Sequence, residues 1–111
     1  MIKLADLIEK TGYSVIYEGN SNAEIKAGYA GDLLSDVLAN ASSDSVIITI
    51  QAHKNTVAVA THVGARVIIL CNGKTAPEDM KQAAIGENIA ILSVKKNQFT
   101  VSAEISGLLS C

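Results

Sequence analysis

Two runs of apolar residues, each followed at once by polar residues, organise the chain. Residues 46–50 are β-branched without a break, and residues 66–70 form a second run that begins with an arginine. Such runs fit strands that are buried on both faces, as parallel strands under helices are. The polar residues 51–55 (QAHKN) follow the first run and are named the first tip, and residues 71–74 (CNGK) follow the second run and are named the second tip.

The N-terminal part of the chain mixes helical and extended patterns. Leu4, Leu7 and Ile8 share one face of a helix, and Gly12 supplies its stop. Residues 13–17 predict a short strand. Residues 24–30 predict an extended segment, which is either a hairpin partner or a first strand of the main sheet.

Two helical patterns flank the first apolar run. One opens at Gly31-Asp32 and carries an apolar stripe at helical spacing, formed by Leu33, Leu34, Val37, Leu38 and Ala41. The other covers residues 55–63, with Asn55 as its N-cap. This second pattern is apolar nearly all round, which predicts a helix that is buried or lies in a subunit interface.

The C-terminal part continues the alternation of helices and strands. Thr75 and Glu78 have the spacing of a capping box, Pro77 lies in the first turn, and Gly86 ends the predicted helix. Residues 89–94 predict a third buried strand. Residues 97–109 alternate like a strand, but their length and their position at the end of a β-α series favour a helix capped by Asn97.

The order of these elements predicts the fold class. Strands that alternate with helices at short spacing indicate right-handed crossovers and a mostly parallel sheet. We therefore expect a single domain over residues 1–111 with α/β class and a three-layer α/β/α architecture.

Composition narrows the classes of function. The chain of 111 residues has a formal net charge of -2, which argues against a nucleic-acid module. No apolar run is long enough for a membrane span. The two cysteines, Cys71 and the terminal Cys111, do not make a disulfide framework, so we expect a cytoplasmic protein with reduced thiols.

The two tips carry the candidate binding residues. In an open α/β sheet, ligands bind just beyond the carboxyl ends of the strands. The candidates for a small polar or anionic ligand are Gln51, His53, Lys54, Asn55, Asn72 and Gly73. The alternative is structural: Asn55 caps a helix, Lys54 is solvated, His53 bonds locally, and Asn72-Gly73 is a turn.

Other polar groups are weaker candidates. Asp32, Ser35 and Asp36 place two carboxylates one helical turn apart, which suits a cation or acid–base chemistry, but acids in a first turn also complement the helix dipole. We interpret them as a polar face for a partner or a second subunit. The spacing of His53, His62 and Cys71 matches no standard zinc pattern, so neither a metal nor a cofactor is expected.

The chain resembles the DRTGG domain family. The resemblance lies in GYAGDLLSDVLANA (28–41), VIITIQAHKNTVAVA (46–60), VIILCNGK (67–74) and NIAILSV (88–94), and with the N-terminal helix it covers nearly the whole chain. The chain resembles stand-alone members, some of which are found with iron-only hydrogenase systems and are often labelled HPr serine kinase-like. The family pattern places Asp-Arg after one strand and Thr-Gly-Gly after the next. This sequence departs from it, with His53-Lys54 in place of the pair and only Gly73 matching.

The resemblance implies a regulatory or accessory domain that forms a homodimer, and not an enzyme. No phosphate-loop pattern accompanies the kinase label. The expected function is therefore non-catalytic sensing of a nucleotide or another small anion at the tips, with the helices over 55–63 and after Asp32 as the first candidate dimer surfaces. Two alternatives stay open: a protein-interaction accessory for a redox enzyme such as an iron-only hydrogenase, and a small phosphatase or transferase using Asp32, Asp36 and His53.

Overall fold

The computed structural model describes residues 1–110 and has a central sheet with helices on both faces. In chain order the elements are β1 (Ile2–Lys3), α1 (Leu4–Thr11), β2 (Ser14–Tyr17), β3 (Glu24–Ile25), β4 (Ala27–Ala30), α2 (Leu34–Asn40), β5 (Ser45–Thr49), α3 (Lys54–Val63), β6 (Val67–Leu70), α4 (Glu78–Glu87), β7 (Ala90–Ser93) and α5 (Gln98–Leu109). Cys111 lies outside the described residues.

The central sheet has the strand order β2-β7-β6-β5-β4. Strands β4 to β7 are parallel, and β2 runs antiparallel to β7 at one edge. A separate two-stranded sheet joins β1 to β3. The extended segment over residues 24–30 is thus two strands, of which only β4 belongs to the main sheet.

Alternate residues of the buried strands point into two separate cores. Val46 and Ile48 of β5 face α1 and α5, whereas Ile47 faces the layer formed by α2, α3 and α4. Both cores are built from buried and mostly aliphatic side chains. Three consecutive crossovers place α2, α3 and α4 on one face, and α5 returns over the other face to pack on β4 and β5. The predicted three-layer α/β/α architecture with a mostly parallel sheet is confirmed.

Several element ends differ from their predicted positions. Helix α2 begins at Leu34, so Gly31 and Asp32 belong to the preceding loop. The predicted capping box of α4 does not form: the helix begins at Glu78 and has no side-chain cap. It ends at Glu87, where Asn88 in the left-handed region (φ 55°) provides the stop that was expected of Gly86. Left-handed geometry is tolerated by asparagine as well as by glycine, and the sequence pattern does not choose between them.

Two predicted apolar faces are less buried than their patterns suggest. In the stripe around α2 only Val37 is fully buried, while Leu33 and Leu38 are 68% and 43% exposed. Helix α3 buries Thr56, Val57 and Ala60, but its opposite side is exposed.

The C-terminal segment, residues 97–109, is a helix, as predicted. Asn97 caps α5, since its Oδ1 accepts a hydrogen bond from the N–H of Thr100. Across residues 1–110 no helix has the length and apolar character needed to cross a membrane.

Ser45 gives a test of the core. Its side chain is fully buried, and its Oγ has no hydrogen-bond partner within the described residues. Because a buried unpaired hydroxyl is destabilising, Ser45→Ala should raise the free energy of unfolding by about 1 kcal/mol in urea titrations. On the same strand, Thr49→Val is the matched control: Thr49 Oγ1 bonds both Asp32 and the N–H of Gln51, so its loss should lower stability by about 1–2 kcal/mol. A Ser45→Ala protein less stable than wild type would contradict this assignment.

Candidate functional site

Asp32 joins three segments at the carboxyl edge of the sheet. Its Oδ1 accepts hydrogen bonds from Thr49 Oγ1 (2.9 Å) and from the N–H of Ile50 (3.0 Å). Gln98 Nε2 donates to Oδ1 (2.8 Å) and lies 2.9 Å from Oδ2. We name Asp32, Thr49, Ile50 and Gln98 the Asp32 clamp. It holds the loop after β4 against the end of β5 and the first turn of α5.

The first tip is built onto this clamp. Gln51 Nε2 donates to the carbonyl oxygen of Asp32 (2.8 Å), and Thr56 Oγ1 donates to the carbonyl oxygen of Gln51 (2.7 Å). The N–H of Gln51 bonds Thr49 Oγ1 at 3.1 Å. Gln51 was a predicted ligand contact, but the NH₂ group of its side chain already donates a hydrogen bond within the protein.

The clamp stabilises the ionised form of Asp32. Burial raises the pKa of its carboxyl group, but the hydrogen bonds from Ile50, Gln98 and Thr49 lower it by more, so the pKa lies below its ordinary value. The carboxylate is thus a charged anchor at neutral pH, with its charge spread over four donor contacts.

His53, and not Asn55, is the N-cap of α3. Its Nδ1 accepts a hydrogen bond from the N–H of Asn55 (3.1 Å), and its carbonyl oxygen accepts one from the N–H of Thr56 (2.9 Å). His53 has extended backbone geometry (φ -144°), which is what a cap position requires. Two N–H groups of the α3 N-terminus, which the sequence suggested for anion binding, are consequently satisfied by the chain itself.

The second tip is tied to the segment that leaves β7. Asn72 and Gly73 lie in the left-handed region (φ 58° and 70°). The N–H of Asn72 bonds the carbonyl oxygen of Lys96 (3.0 Å), and the N–H of Gly73 bonds that of Val94 (2.9 Å). The side chain of Asn72 remains exposed. The tip is a structured turn whose backbone is fixed and whose polar surface faces outward.

This turn lies where the chain connections diverge. Helix α4 follows β6 onto one face of the sheet, and α5 follows β7 onto the other. In open α/β sheets, ligands bind at such a divergence. The two tips lie on the same edge because Thr49 of β5 pairs in register with Leu70 of β6. A cleft of about 550 Å³ between α3 and α4 includes Lys54 and Asn55 from the first tip but no residue of the second tip.

Three exposed lysines follow three neighbouring strands. Lys54 comes after β5, Lys74 after β6 and Lys95 after β7. The ion pairs of residues 1–110 involve other cations, so these three have no acidic partner there. The aliphatic stem of Lys95 lies beside Gly73: a Cβ atom added to Gly73 would be 4.0 Å from Lys95 Cγ. Since Asp32 is engaged in the clamp, the carboxyl edge presents unpaired positive charge.

The predicted trio of Asp32, Ser35 and Asp36 does not form one polar face. Asp32 precedes the helix, while Asp36 Oδ2 accepts a hydrogen bond from the hydroxyl of Tyr29 (2.5 Å) and its Oδ1 accepts one from Asn40 (2.9 Å). Ser35 is exposed on α2. The two carboxylates belong to separate networks because α2 starts two residues later than its pattern indicates.

Cys71 is a core residue. It is fully buried, and burial, with a smaller contribution from the charge of Asp32, raises the pKa of its thiol to about 11. A thiol with that pKa stays protonated and is a poor nucleophile at neutral pH. His53 is committed to its cap and His62 is exposed near the end of α3. Within residues 1–110 no three His, Cys, Asp or Glu side chains are grouped as a metal site would need.

The sequence pattern missed Thr49 and Gln98 as partners of Asp32. Thr49 was visible only as the hydroxyl residue in a run of Val and Ile. Gln98 lies 66 positions from Asp32 in the chain, and no local pattern links them.

The fold is shared with a regulatory protein. A solved structure of the CBS and DRTGG domains from the regulatory region of Clostridium perfringens pyrophosphatase, complexed with the activator diadenosine tetraphosphate, matches 91% of this chain with a TM-score of 0.68 and 13% sequence identity. The chain spans only 44% of that structure. No family model and no curated protein sequence matches the chain. The structural match supports a DRTGG-related fold, and membership of the family stays a prediction.

The clamp predicts that substitution of Asp32 has a large, pH-dependent effect on the free energy of unfolding. Asp32→Ala leaves the N–H of Ile50 and the Gln98 amide without their acceptor, and should lower the free energy of unfolding by about 2–3 kcal/mol at neutral pH. The matched control is Asp36→Ala, which removes a carboxylate whose partners lie nearer the surface and should cost less than about 1 kcal/mol.

The pH dependence follows from the lowered pKa of Asp32. A carboxyl group whose pKa falls on folding contributes stability above its unfolded value, about 3.9, and that contribution is lost as the pH falls through the folded value. The stability difference between wild type and Asp32→Asn, measured by urea unfolding, should therefore narrow below about pH 4. A difference that stays constant from neutral to acidic pH would contradict the clamp as an ionised anchor.

Proposed function

We propose that the chain is a non-catalytic regulatory module that acts as a homodimer and senses a small anionic ligand, such as a nucleotide, at the carboxyl edge of its sheet. The observation that carries this proposal is a set of exposed lysines after three adjacent strands, Lys54, Lys74 and Lys95, which form no ion pair among residues 1–110. In a chain whose formal net charge is -2, this concentration of cations favours an anion at this edge.

The geometry of the edge supports a site that exists before the ligand arrives. The Asp32 clamp fixes the first tip, and backbone hydrogen bonds to Lys96 and Val94 fix the second. A rigid surface loses little conformational entropy on binding. The candidate contacts are His53, Lys54 and Asn55 from the first tip and Asn72, Gly73 and Lys74 from the second, with Lys95 added by the structure.

The proposal that the module does not catalyse rests on how its reactive groups are used. Asp32 is held by four donor contacts, His53 caps α3, and the thiol of Cys71 is buried with a raised pKa. General acid–base or nucleophilic catalysis needs groups that converge on one cleft. Asp32, Asp36 and His53, which the phosphatase or transferase alternative requires, bond to different partners.

The resemblance and the structural match add a biological context. The Clostridium perfringens regulatory region binds diadenosine tetraphosphate as its activator. Because this chain spans less than half of that region, the nucleotide is a starting ligand class for testing. The 84% exposure of Phe99 favours a protein-binding surface, which supports the second candidate function: docking onto another protein, such as a redox enzyme of the iron-only hydrogenase type.

The test is a thermal-shift titration of the reduced protein with adenine and guanine nucleotides, diadenosine tetraphosphate and inorganic phosphate. A ligand at about 100 times its dissociation constant stabilises the folded state by roughly 2.7 kcal/mol, which should raise Tm by several degrees. The shift should vanish in Lys74→Gln/Lys95→Gln. It should persist in Lys3→Gln/Lys10→Gln, which removes two exposed lysines from the N-terminal region.

His53 should be tested as asparagine and not as alanine. Asparagine preserves a side-chain cap for α3 but removes the imidazole, so a lost shift then reports a ligand contact and not a frayed helix. A flat panel, or a shift of equal size in all variants, would overturn the ligand proposal. The docking alternative would then be examined by pull-down.

A further inference from the structure

One edge of the sheet is left open. Among residues 1–110, strand β4 pairs with β5 alone, so its outer backbone N–H and C=O groups have no partner strand there. Its sequence, Ala27–Ala30 (AGYA), contains no charged residue and no proline, and its pairing has no register shift. The opposite edge strand, β2, has an irregularity between Val15 and Tyr17. Proteins usually protect edge strands with charges, prolines or bulges, and β4 has none of these devices.

Exposed apolar side chains flank β4 on both faces of the sheet. Phe99, in the first turn of α5, is 84% exposed, and Leu33, which follows β4, is 68% exposed. The Asp32 clamp connects them: the bond between Asp32 and Gln98 joins the residue before Leu33 to the residue before Phe99. Leu38, on α2, adds a third apolar side chain at 43% exposure.

An uncharged cleft runs between β4 and α5. Its volume is about 300 Å³, and its lining includes Gly28 and Ala30 from the strand and Ser102, Ser106 and Leu109 from the helix. The spacing of Phe99, Ser102 and Ser106 places them along one side of α5. The whole lining carries no charged side chain. We name this region, formed by β4, the cleft, Leu33, Leu38 and Phe99, the edge surface.

We propose that the edge surface binds a second copy of this chain, with β4 pairing antiparallel to the β4 of the partner across a two-fold axis. This inference rests on the homodimer of the proposed function and specifies its interface. A two-fold interface must be complementary to itself. A surface without charged side chains meets no like-charge repulsion when it faces its own copy, although the chain as a whole has 20 charged residues (9 basic and 11 acidic).

The dimensions of the pairing are compatible with a stable dimer. An antiparallel register centred on Tyr29 sets Gly28 opposite the partner's Ala30 on either side of the axis, so small residues meet small residues there. The exposed side chains of α5 and α2 then cover the partner on the two faces of the joined sheet. A standard interface buries about 800 Å² per copy, which is about the area of one whole side of a molecule with extents of 33 × 27 × 26 Å, so α5 and α2 must contribute to the interface beside β4.

The experiment is a mass measurement by size-exclusion chromatography with light scattering, in reductant so that thiol oxidation creates no covalent dimer. The wild-type chain should have twice the mass of its 11.6 kDa chain. Phe99→Glu and Ala30→Lys, both at exposed positions, should be monomeric and still folded by circular dichroism. The matched control is Ile85→Glu, which adds the same charge at an exposed apolar position on α4 and should leave the dimer intact.

Hydrogen exchange and one further variant separate the outcomes. The amides of β4 should be protected in the wild-type dimer and lose protection in Phe99→Glu. Ala58→Glu, on the exposed side of α3, should remain dimeric. A monomeric wild type would overturn both this interface and the homodimer in the proposed function. A dimer that survives Phe99→Glu and Ala30→Lys, or one that Ala58→Glu dissociates, would overturn the edge surface alone, and neither result bears on the ligand titration.

Discussion

The carboxylate of Asp32 is the interaction on which the arrangement of the carboxyl edge depends. Backbone pairing ends at Thr49, and beyond it the chain needs other partners for its polar groups. One ionised side chain supplies them, accepting from the N–H of Ile50, from Thr49 and from Gln98. The loop after β4, the first tip and the start of α5 are thereby fixed together, and α5 is held over β4 and β5.

The two distinctive surfaces of the molecule follow from this arrangement. Because α5 folds back over β4, the edge of the sheet acquires an uncharged groove with Phe99 and Leu33 at one end. Because the crossovers all proceed in one direction until β7, the tips of three strands lie in a row, each followed by an exposed lysine. The chain therefore separates a charged edge, suited to a small anion, from an uncharged edge, suited to another protein surface.

The sequence predicted the strands correctly where they are buried on both faces of the sheet. The runs around Ile48 and Ile69 predicted parallel strands, and hence the fold, because continuous apolar runs rich in β-branched residues are typical of strands covered on both faces. Prediction failed at element ends. Asp32 and Asn55 are residue types that often cap helices, yet Asp32 bonds across the fold to Gln98, and His53 is the residue that caps α3. The bond from Gln98 to Asp32 depends on tertiary distances that no local spacing encodes, whereas the cap of α3 lies two residues from its predicted position, within the usual spread of helix ends.

A double-mutant cycle between Asp32→Ala and Gln98→Ala tests the clamp most directly. Urea unfolding of the wild type, the two single variants and the double variant gives the coupling energy between the two side chains. The bidentate contact at 2.8 and 2.9 Å predicts a favourable coupling of about 1–2 kcal/mol at neutral pH. Additive effects of the two substitutions, with no coupling, would show that the carboxylate does not hold α5 to the strand ends and would contradict the account.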